Sequence, residues 1–369
     1  MTQPVRPVLL VDLAKSYGGA EVRVLATAKS LHGQHPYAVA TLTGSPLHQR
    51  LERAGLTSLP VPFGRADGRL VFFLARAIRR AGFQVVDAHN VQSQFWGHLA
   101  ALAAGVLVKV STVHSAYRFE HHGSLKGRLY EQVLRLNAGW GTHFVAVSKT
   151  VESYIQGLGI APDKISLIHN SVSPPARSLP STALSLLQSL GWEKDVYMVI
   201  VVARLEPVKG HTFLLEALSR ITPERPQLRC LIVGEGRTRA ALESQVQEAR
   251  LQEQVHFTGF RDDIPALLGA SDAFCLPSLS EGLPFALLEA GMQRLPLLVT
   301  QVGGMAELLR HGHTAFLVPP ADPAALARGL SWLMDYPQAA RCMGETASTY
   351  LQQCFNLTEM LRKTLAVYR

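Results

Sequence analysis

Apolar and polar positions along the chain fall into two kinds of run. Short, almost continuously apolar stretches, "PVLLVD", "YAVATL", "QVVDAHN", "VKVSTVH" and "HFVAVS", recur through the first 150 residues. Several lead into stretches whose apolar residues return every three or four positions: "GAEVRVLATAKSL", "SQFWGHLAALAAG" and "KTVESYIQGL". The first kind reads as buried strands and the second as amphipathic helices. Their alternation predicts an α/β fold with a parallel sheet covered on both faces. Periodicity stops at "NSVSPPARSLPSTA", residues 170–183, where proline and serine concentrate, and this marks a linker. It resumes with "DVYMVIVVARL" and the helix "GHTFLLEALSRI", then "RCLIVGEG", "VHFTGF", "AFCLPS" and "PLLVT". The pattern predicts two doubly wound domains, residues 1–172 and 191–350, joined by a linker over 173–190 and followed by a helical segment, 351–369. A length of 369 residues suits two cores better than one.

Composition narrows the class. Hydrophobic residues make up 47% and charged residues 17%, as in globular domains. The longest apolar run, "VYMVIVVA" at 196–203, is far short of the roughly 20 residues a membrane span needs. Asp12 directly follows the first apolar stretch and no small-residue cleavage site is evident, so no secretory leader is expected. The four cysteines form no close pair, which suits a reduced, cytoplasmic protein without a thiolate zinc site.

Charge is uneven. Of the net +8, residues 1–180 hold 19 basic and 9 acidic side chains, against 17 and 19 in the remainder. A basic half suits nucleic acid, anionic lipid or an acidic substrate. Nucleic acid is set aside, because no basic stripe is interleaved with aromatic residues. In "GRLVFFLARAIRRAGF", residues 68–83, Arg76, Arg79 and Arg80 beside Phe72 and Phe73 suit a helix lying on an anionic membrane. A sheet-covering helix with a solvated basic edge is the plainer alternative.

In doubly wound sheets ligands bind beyond the carboxyl ends of the strands. Gly18 and Gly19 stand there ahead of a helix, where backbone amides approach an anion closely. Arg204 and Lys209 stand on another such loop and suit a diphosphate. Gly234 and Gly236 lie at a third, but Arg239 occupies the place of the last glycine of the dinucleotide fingerprint. His89 and His114 close two strands of the first half. Signatures of zinc peptidases, α/β-hydrolases and P-loop ATPases are absent, as is any Asp-x-Asp pair of the kind that holds a metal-bound diphosphate.

"PSLSEGLPFALLEA", residues 277–290, carries Glu281 and Glu289. Pro284 suits the first position of a helix, which leaves Glu281 on the entering loop and Glu289 more than a turn inside. Eight positions along a helix span about 12 Å, whereas paired glycosidase carboxylates stand about 5–9.5 Å apart. An elongated ligand fits better: hydroxyl-bearing ends on the two acids, anionic middle on backbone amides. The alternative makes Glu281 a charge boxed with Ser278 at a helix N-terminus and Glu289 an ordinary exposed residue.

As an ordered set, "GGAE", "TVHS", "VSK", "LIHNSV", "ARLEPVKG", "VGEG", "TGF", "PSLSEGLPFALLEA", "VGGMAELLRHGHTAFLVPPADPAAL" and the terminal "LAVYR" carry a family resemblance. The chain resembles the retaining, metal-independent glycosyltransferases of family 4, the group 1 glycosyl transferases with an E-x₇-E signature. Their GT-B architecture sets two Rossmann-like domains around an interdomain cleft, with an acceptor-binding first domain, a donor-binding second domain and a final helix crossing back to the first. The resemblance implies a nucleotide-diphosphate sugar as donor substrate, no cofactor and no metal. The acceptor is a glycan or lipid-linked, as in cell-surface polysaccharide or glycolipid synthesis, and the location cytoplasmic, with peripheral membrane contact. UDP-linked hexose or N-acetylhexosamine comes before GDP-mannose.

By the same resemblance, His114, Glu281, Arg204 and Lys209 are catalytic. Gly18, Gly19, Gly234, Phe260, Arg261, Gly282, Leu283, Pro284, Phe285 and Glu289 join Arg204, Lys209 and Glu281 in binding the donor. Glu281 faces the sugar, Glu289 the ribose, Arg204 and Lys209 the diphosphate, and the backbone near Phe260 and Arg261 the base. Pro284 and Ala315 stand where this family often has glycine. A nucleotide-sugar epimerase or a non-catalytic nucleotide-sugar binding protein of the same fold is the alternative.

Overall fold

The structure is a computed structural model that describes residues 6–120, 125–172, 181–192 and 196–369. The chain divides into two compact units, Met1–Asn170 with Leu357–Arg369, and Ser171–Asn356.

The first unit is built on seven strands: β1 (Val8–Asp12), β2 (Tyr37–Leu42), β3 (Ser58–Val61), β4 (Val85–His89), β5 (Val108–Val113), β6 (His143–Ala146) and β7 (Ile165–Leu167). They lie in the order β3-β2-β1-β4-β5-β6-β7, every pairing parallel. Alternate residues of β1 explain its unbroken apolar run. Val8 and Leu10 pack with Val24, Ala28 and Leu31 of the Gly19–Leu31 helix and with Met360 and Tyr368 near the C-terminus. Leu9 and Val11 face the other way, onto Leu70, Leu74 and Ile78 and onto Ala100 and Ala101. A strand buried on both faces has no polar side to show.

The second unit has six strands: β8 (Tyr197–Val202), β9 (Leu228–Val233), β10 (Val255–Gly259), β11 (Ala273–Leu276), β12 (Leu297–Thr300) and β13 (Phe316–Val318). Their order is β10-β9-β8-β11-β12-β13, again with parallel pairings. Val199 and Val201 pack with Leu214 and Leu218 on one face, and Met198 and Ile200 with Leu287 and Ala290 on the other.

Three strands lacked a signal strong enough to predict: β3, β7 and β13. All are sheet edges of three or four residues, and β3 contains Pro60, a residue tolerated only where one side of the strand goes unpaired. The stretch expected as linker, 173–190, is not all linker: a helix spans Ser181–Ser189 and sets Ala183 and Leu187, with Trp192, into the second core. Its proline-rich part, 173–180, lies outside the described residues. The segment expected as one final helix, 351–369, divides. Residues 351–354 end the Pro337–Cys354 helix of the second unit, and the separate Leu357–Val367 helix belongs to the first. In the Arg69–Ala81 helix Leu70, Leu74, Ala75 and Ile78 are buried against the sheet, while Arg76, Arg79, Arg80 and Phe72, 78% accessible, face outward.

Candidate active site

In the second sheet the strand order reverses between β8 and β11, the place where doubly wound folds open a crevice for ligands. The loops leaving these two strands carry Arg204 and Lys209 on one side and Ser278 to Pro284 on the other. Backbone contacts bind the loops together. The Leu279 N–H donates to the Val208 carbonyl at 2.7 Å, and the Gly304 N–H to that of Gly282 at 2.8 Å. Gly210, at φ 68°, lies so close to the next loop that a Cβ would stand 2.0 Å from the Pro277 carbonyl oxygen. Gly303, at φ 49°, packs likewise on the Glu281 carbonyl, where a Cβ would stand 1.8 Å away. Only glycine permits both the backbone conformation and the approach.

This packing delivers Lys209 to Glu281. Lys209 Nζ donates to Glu281 Oε1 at 2.7 Å, and Ser278 Oγ donates to the same oxygen at 2.6 Å. The Ser278 carbonyl is fixed in turn by Thr300 Oγ1, at 2.5 Å. The side chains of Lys209 and Glu281 are only 15% and 7% accessible, so neither is a solvated surface charge. Sequence reasoning placed the two at different parts of the ligand and missed their pairing, and it missed Thr300 altogether. Arg204 stands exposed at the end of β8.

Pro284 is not the first helical residue. It is the N-cap, extended at φ −73° and ψ 130°, and the helix runs Phe285–Met292 without a side-chain cap. Proline's fixed φ suits both positions, and the extended ψ is what excludes it from the helix. Leu283 and Phe285 bury their side chains. The first-turn amides and helix dipole favour an anion there. Glu289 is half-buried rather than exposed, and among the described residues no group pairs with its carboxylate. Burial pushes its pKa up to about 7.

Gly234, at φ 143°, packs on the Ala203 carbonyl and donates its N–H to Gly259, so it holds loops rather than presenting a free amide. Phe260 follows β10 with its side chain 47% accessible, and Arg261 makes a two-point ion pair with Asp263 at 2.8 and 2.7 Å.

The other expected residues belong to the first unit. Gly18 is the N-cap of the Gly19–Leu31 helix, and its N–H already donates to Glu21 Oε2 at 2.7 Å. Asp12, at the end of β1, accepts from Asn90 Nδ2 at 2.9 Å. Burial and the neighbouring Glu21 carboxylate raise its pKa well above the ordinary range. Two acids under the glycine loop make a poor free anion site. His114 follows β5, and its Nε2 lies 3.1 Å from His89 Nδ1. Burial, helped by the neighbouring His89 and Arg23, lowers the His114 pKa well below its ordinary value, which keeps the ring neutral at pH 7. His89 is fully buried and joined to a polar cluster that sequence reasoning did not foresee.

Residues 17–174 match the family described as Glycosyltransferase Family 4, and residues 185–349 match Glycosyl transferases group 1. The two matches take in most of the chain, which belongs to this glycosyltransferase family and is a hexosyltransferase. A UDP-Gal:alpha-D-GlcNAc-diphosphoundecaprenol alpha-1,3-galactosyltransferase of Escherichia coli is 28% identical over 308 residues, 82% of this chain and 79% of that protein. A 2-deoxystreptamine glucosyltransferase of Streptomyces kanamyceticus is 28% identical over 272 residues, 70% of each chain. The fold is GT-B. HepE of Anabaena, solved with UDP-glucose, superposes with a TM-score of 0.85 at 23% identity, over 98% of this chain and 99% of that one.

Two predictions follow from the paired and unpaired glutamates. Lys209→Met or Glu281→Gln alone leaves one half-desolvated charge and lowers unfolding free energy by about 3 kcal/mol, while the double variant recovers most of it without recovering activity. Urea titration checks this, and additive losses would refute the pairing. Glu289 has a folded-state pKa of about 7 against an ordinary 4.5, so its contribution weakens the fold as pH rises between those values and stays unfavourable above them. Glu289→Gln therefore stabilises the unliganded protein by roughly 1–3 kcal/mol at pH 8 and leaves it unchanged at pH 4.

Proposed function

We propose that this protein transfers a hexose or N-acetylhexosamine, UDP-linked before any other donor, to a glycan or lipid-linked acceptor, with retention of configuration and without a metal. The carrying observation is the Lys209–Glu281 pair, held under cover at the strand-order reversal beside an uncapped helix start. The relatives support the donor and acceptor classes. The E. coli enzyme's name specifies UDP-galactose and a diphosphoundecaprenol-linked acceptor, and the HepE structure holds UDP-glucose.

In this reading the donor diphosphate lies against the first amides of the Phe285–Met292 helix, with Arg204 and Lys209 beside it. An ammonium has three donors, so Lys209 keeps Glu281 and still reaches a phosphate oxygen. Charge that develops on the departing diphosphate then meets oriented amides and cations at a site already built for it. Glu281, fixed by Ser278 and Lys209, faces the sugar. Glu289 accepts from the ribose hydroxyls, which favour its ionised form and offset the penalty of burial. Phe260 and Arg261 border the base. His114, a neutral ring, takes a donor-sugar hydroxyl. Gly18 and Gly19 assist only when Glu21 releases the Gly18 amide. Same-face attack by the acceptor, its proton passing to the departing oxygen, accounts for retention without a covalent nucleophile.

The surface of the first unit suits a lipid-linked acceptor held at an anionic bilayer, where the enzyme works as a peripheral protein on the cytoplasmic face. Phe72, Leu107, Leu125 and Leu129 are largely exposed, with Arg76, Arg79, Arg80, Lys126 and Arg128 also exposed on the Arg69–Ala81 and Leu125–Gly139 helices. Apolar and basic side chains together are what an interfacial surface needs. No helix among the described residues is long and apolar enough to cross a membrane.

Labelled UDP-sugars incubated with a membrane extract test the reading. Label is expected to move to acceptor, with the anomeric configuration kept, at a rate unchanged by excess EDTA. Lys209→Ala lowers kcat by about 10²-fold or more with little change in donor KM. Sugar isomerisation without transfer would favour the epimerase instead, and nucleotide binding with neither outcome would favour a binding protein. For the membrane surface, flotation with anionic vesicles at low salt is the check. The protein co-floats, Phe72→Ser with Arg76→Glu does not, and failure of the unaltered protein to float at low salt removes this part of the proposal.

A further inference from the structure

Behind His114 runs a line of buried polar groups that donor binding does not use. Asp87 and His89 lie two apart on β4, hence on one face of the sheet. β5 pairs beside it with His89 opposite Thr112, which puts His114 just beyond the strand. His89 Nδ1 stands 3.1 Å from His114 Nε2, and His89 Nε2 stands 3.6 Å from Asp87 Oδ2 with no hydrogen-bond partner of its own. Asp87 is held from two further directions. Thr112 Oγ1 donates to Oδ1 at 3.1 Å, and the hydroxyl of Tyr368, the penultimate residue, donates to Oδ2 at 2.5 Å. Arg23, buried in the Gly19–Leu31 helix, adds positive charge and ties the same region to the C-terminal helix through Thr364 Oγ1 at 3.5 Å.

We infer that Asp87, held by Tyr368, is a positioning residue: through His89 it fixes His114 in the tautomer that carries its proton on Nε2 and leaves Nδ1 bare to accept from a donor-sugar hydroxyl. The direction of the chain follows from electrostatics. A buried ring nitrogen 3.6 Å from a carboxylate is repelled by it when it presents a lone pair and attracted when it presents N–H, so His89 presents N–H to Asp87 at Nε2. With that single proton on the His89 ring, Nδ1 is the acceptor in the 3.1 Å contact and His114 Nε2 donates to it. His114 Nδ1 remains without a proton, and no group among the described residues bonds it.

The protonation states agree with this line. Burial alone opposes ionisation of Asp87, but the facing His89, the Tyr368 hydroxyl and Arg23 together bring its pKa below the ordinary value. Burial and Asp87 raise that of Tyr368 far above its ordinary value, so it stays a donor. Arg23, lowered by burial to about 10, stays charged. The assignment of His114 to a sugar hydroxyl is the one made above, and this inference rests on it.

Ring ¹⁵N NMR of the unliganded protein tests the tautomer without reference to turnover. The expected spectrum has His114 protonated at Nε2, and Asp87→Asn, which removes the carboxylate charge facing His89 Nε2, weakens that preference so that a measurable fraction of His114 carries its proton on Nδ1. In kinetics Asp87→Asn lowers kcat about 10- to 100-fold with little change in donor KM, and Tyr368→Phe, which keeps the ring, lowers it less. A wild-type His114 protonated at Nδ1, or one indifferent to Asp87→Asn, overturns the inference. Should Asp87→Asn not fold, the wild-type spectrum alone decides the tautomer. His114→Ala answers the other question: full activity there would remove His114 from the donor site while leaving the tautomer result as measured.

Discussion

The second unit depends on how closely four loop backbones approach at the carboxyl end of its sheet. Gly210 lies on Pro277, Gly303 on Glu281, Gly234 on Ala203 and Gly236 on Leu205, each at a distance that a Cβ would violate by an ångström or more. Loops packed in this way cannot drift independently. Ser278 and Lys209 therefore converge on one carboxylate oxygen, and the Phe285–Met292 helix begins within the same packed loops. Any side chain at these glycines forces the loops apart.

The two sheets use their strand-order reversals differently. In the second, opposite charges pair under cover on loops that lead into a helix start without a side-chain cap. In the first, the reversal between β1 and β4 brings Asp12 and Glu21 together, and burial with the neighbouring carboxylate raises the Asp12 pKa well above its ordinary value. What the first unit contributes is a neutral imidazole and, on its helical surface, exposed apolar and basic residues.

Much of this was legible in the sequence, for physical reasons. Central strands buried on both faces read as unbroken apolar runs, and glycines, cations and acids placed after them mark the ligand end of a doubly wound sheet. Edge strands of three or four residues do not stand out in this way, as β3, β7 and β13 show. Candidate residues were visible one at a time, but their partnerships were not. Lys209 and Glu281 are 72 positions apart, and Asp87 and Tyr368 are 281 apart, so no local spacing announces either pair. A partial signal did exist for the second: Asp87 and His89 at i and i+2 on a strand must share a face. Glu289 carried no sign of burial, since a lone acid in an apolar helix reads equally as a solvated charge.

The most direct measurement is a crystal structure with UDP bound. The account predicts the diphosphate against the first turn of the Phe285–Met292 helix, Lys209 Nζ within hydrogen-bond reach of a phosphate oxygen, and both ribose hydroxyls on Glu289. Nucleotide bound elsewhere, or bound there with Lys209 still directed only to Glu281 and Glu289 without a partner, would contradict it.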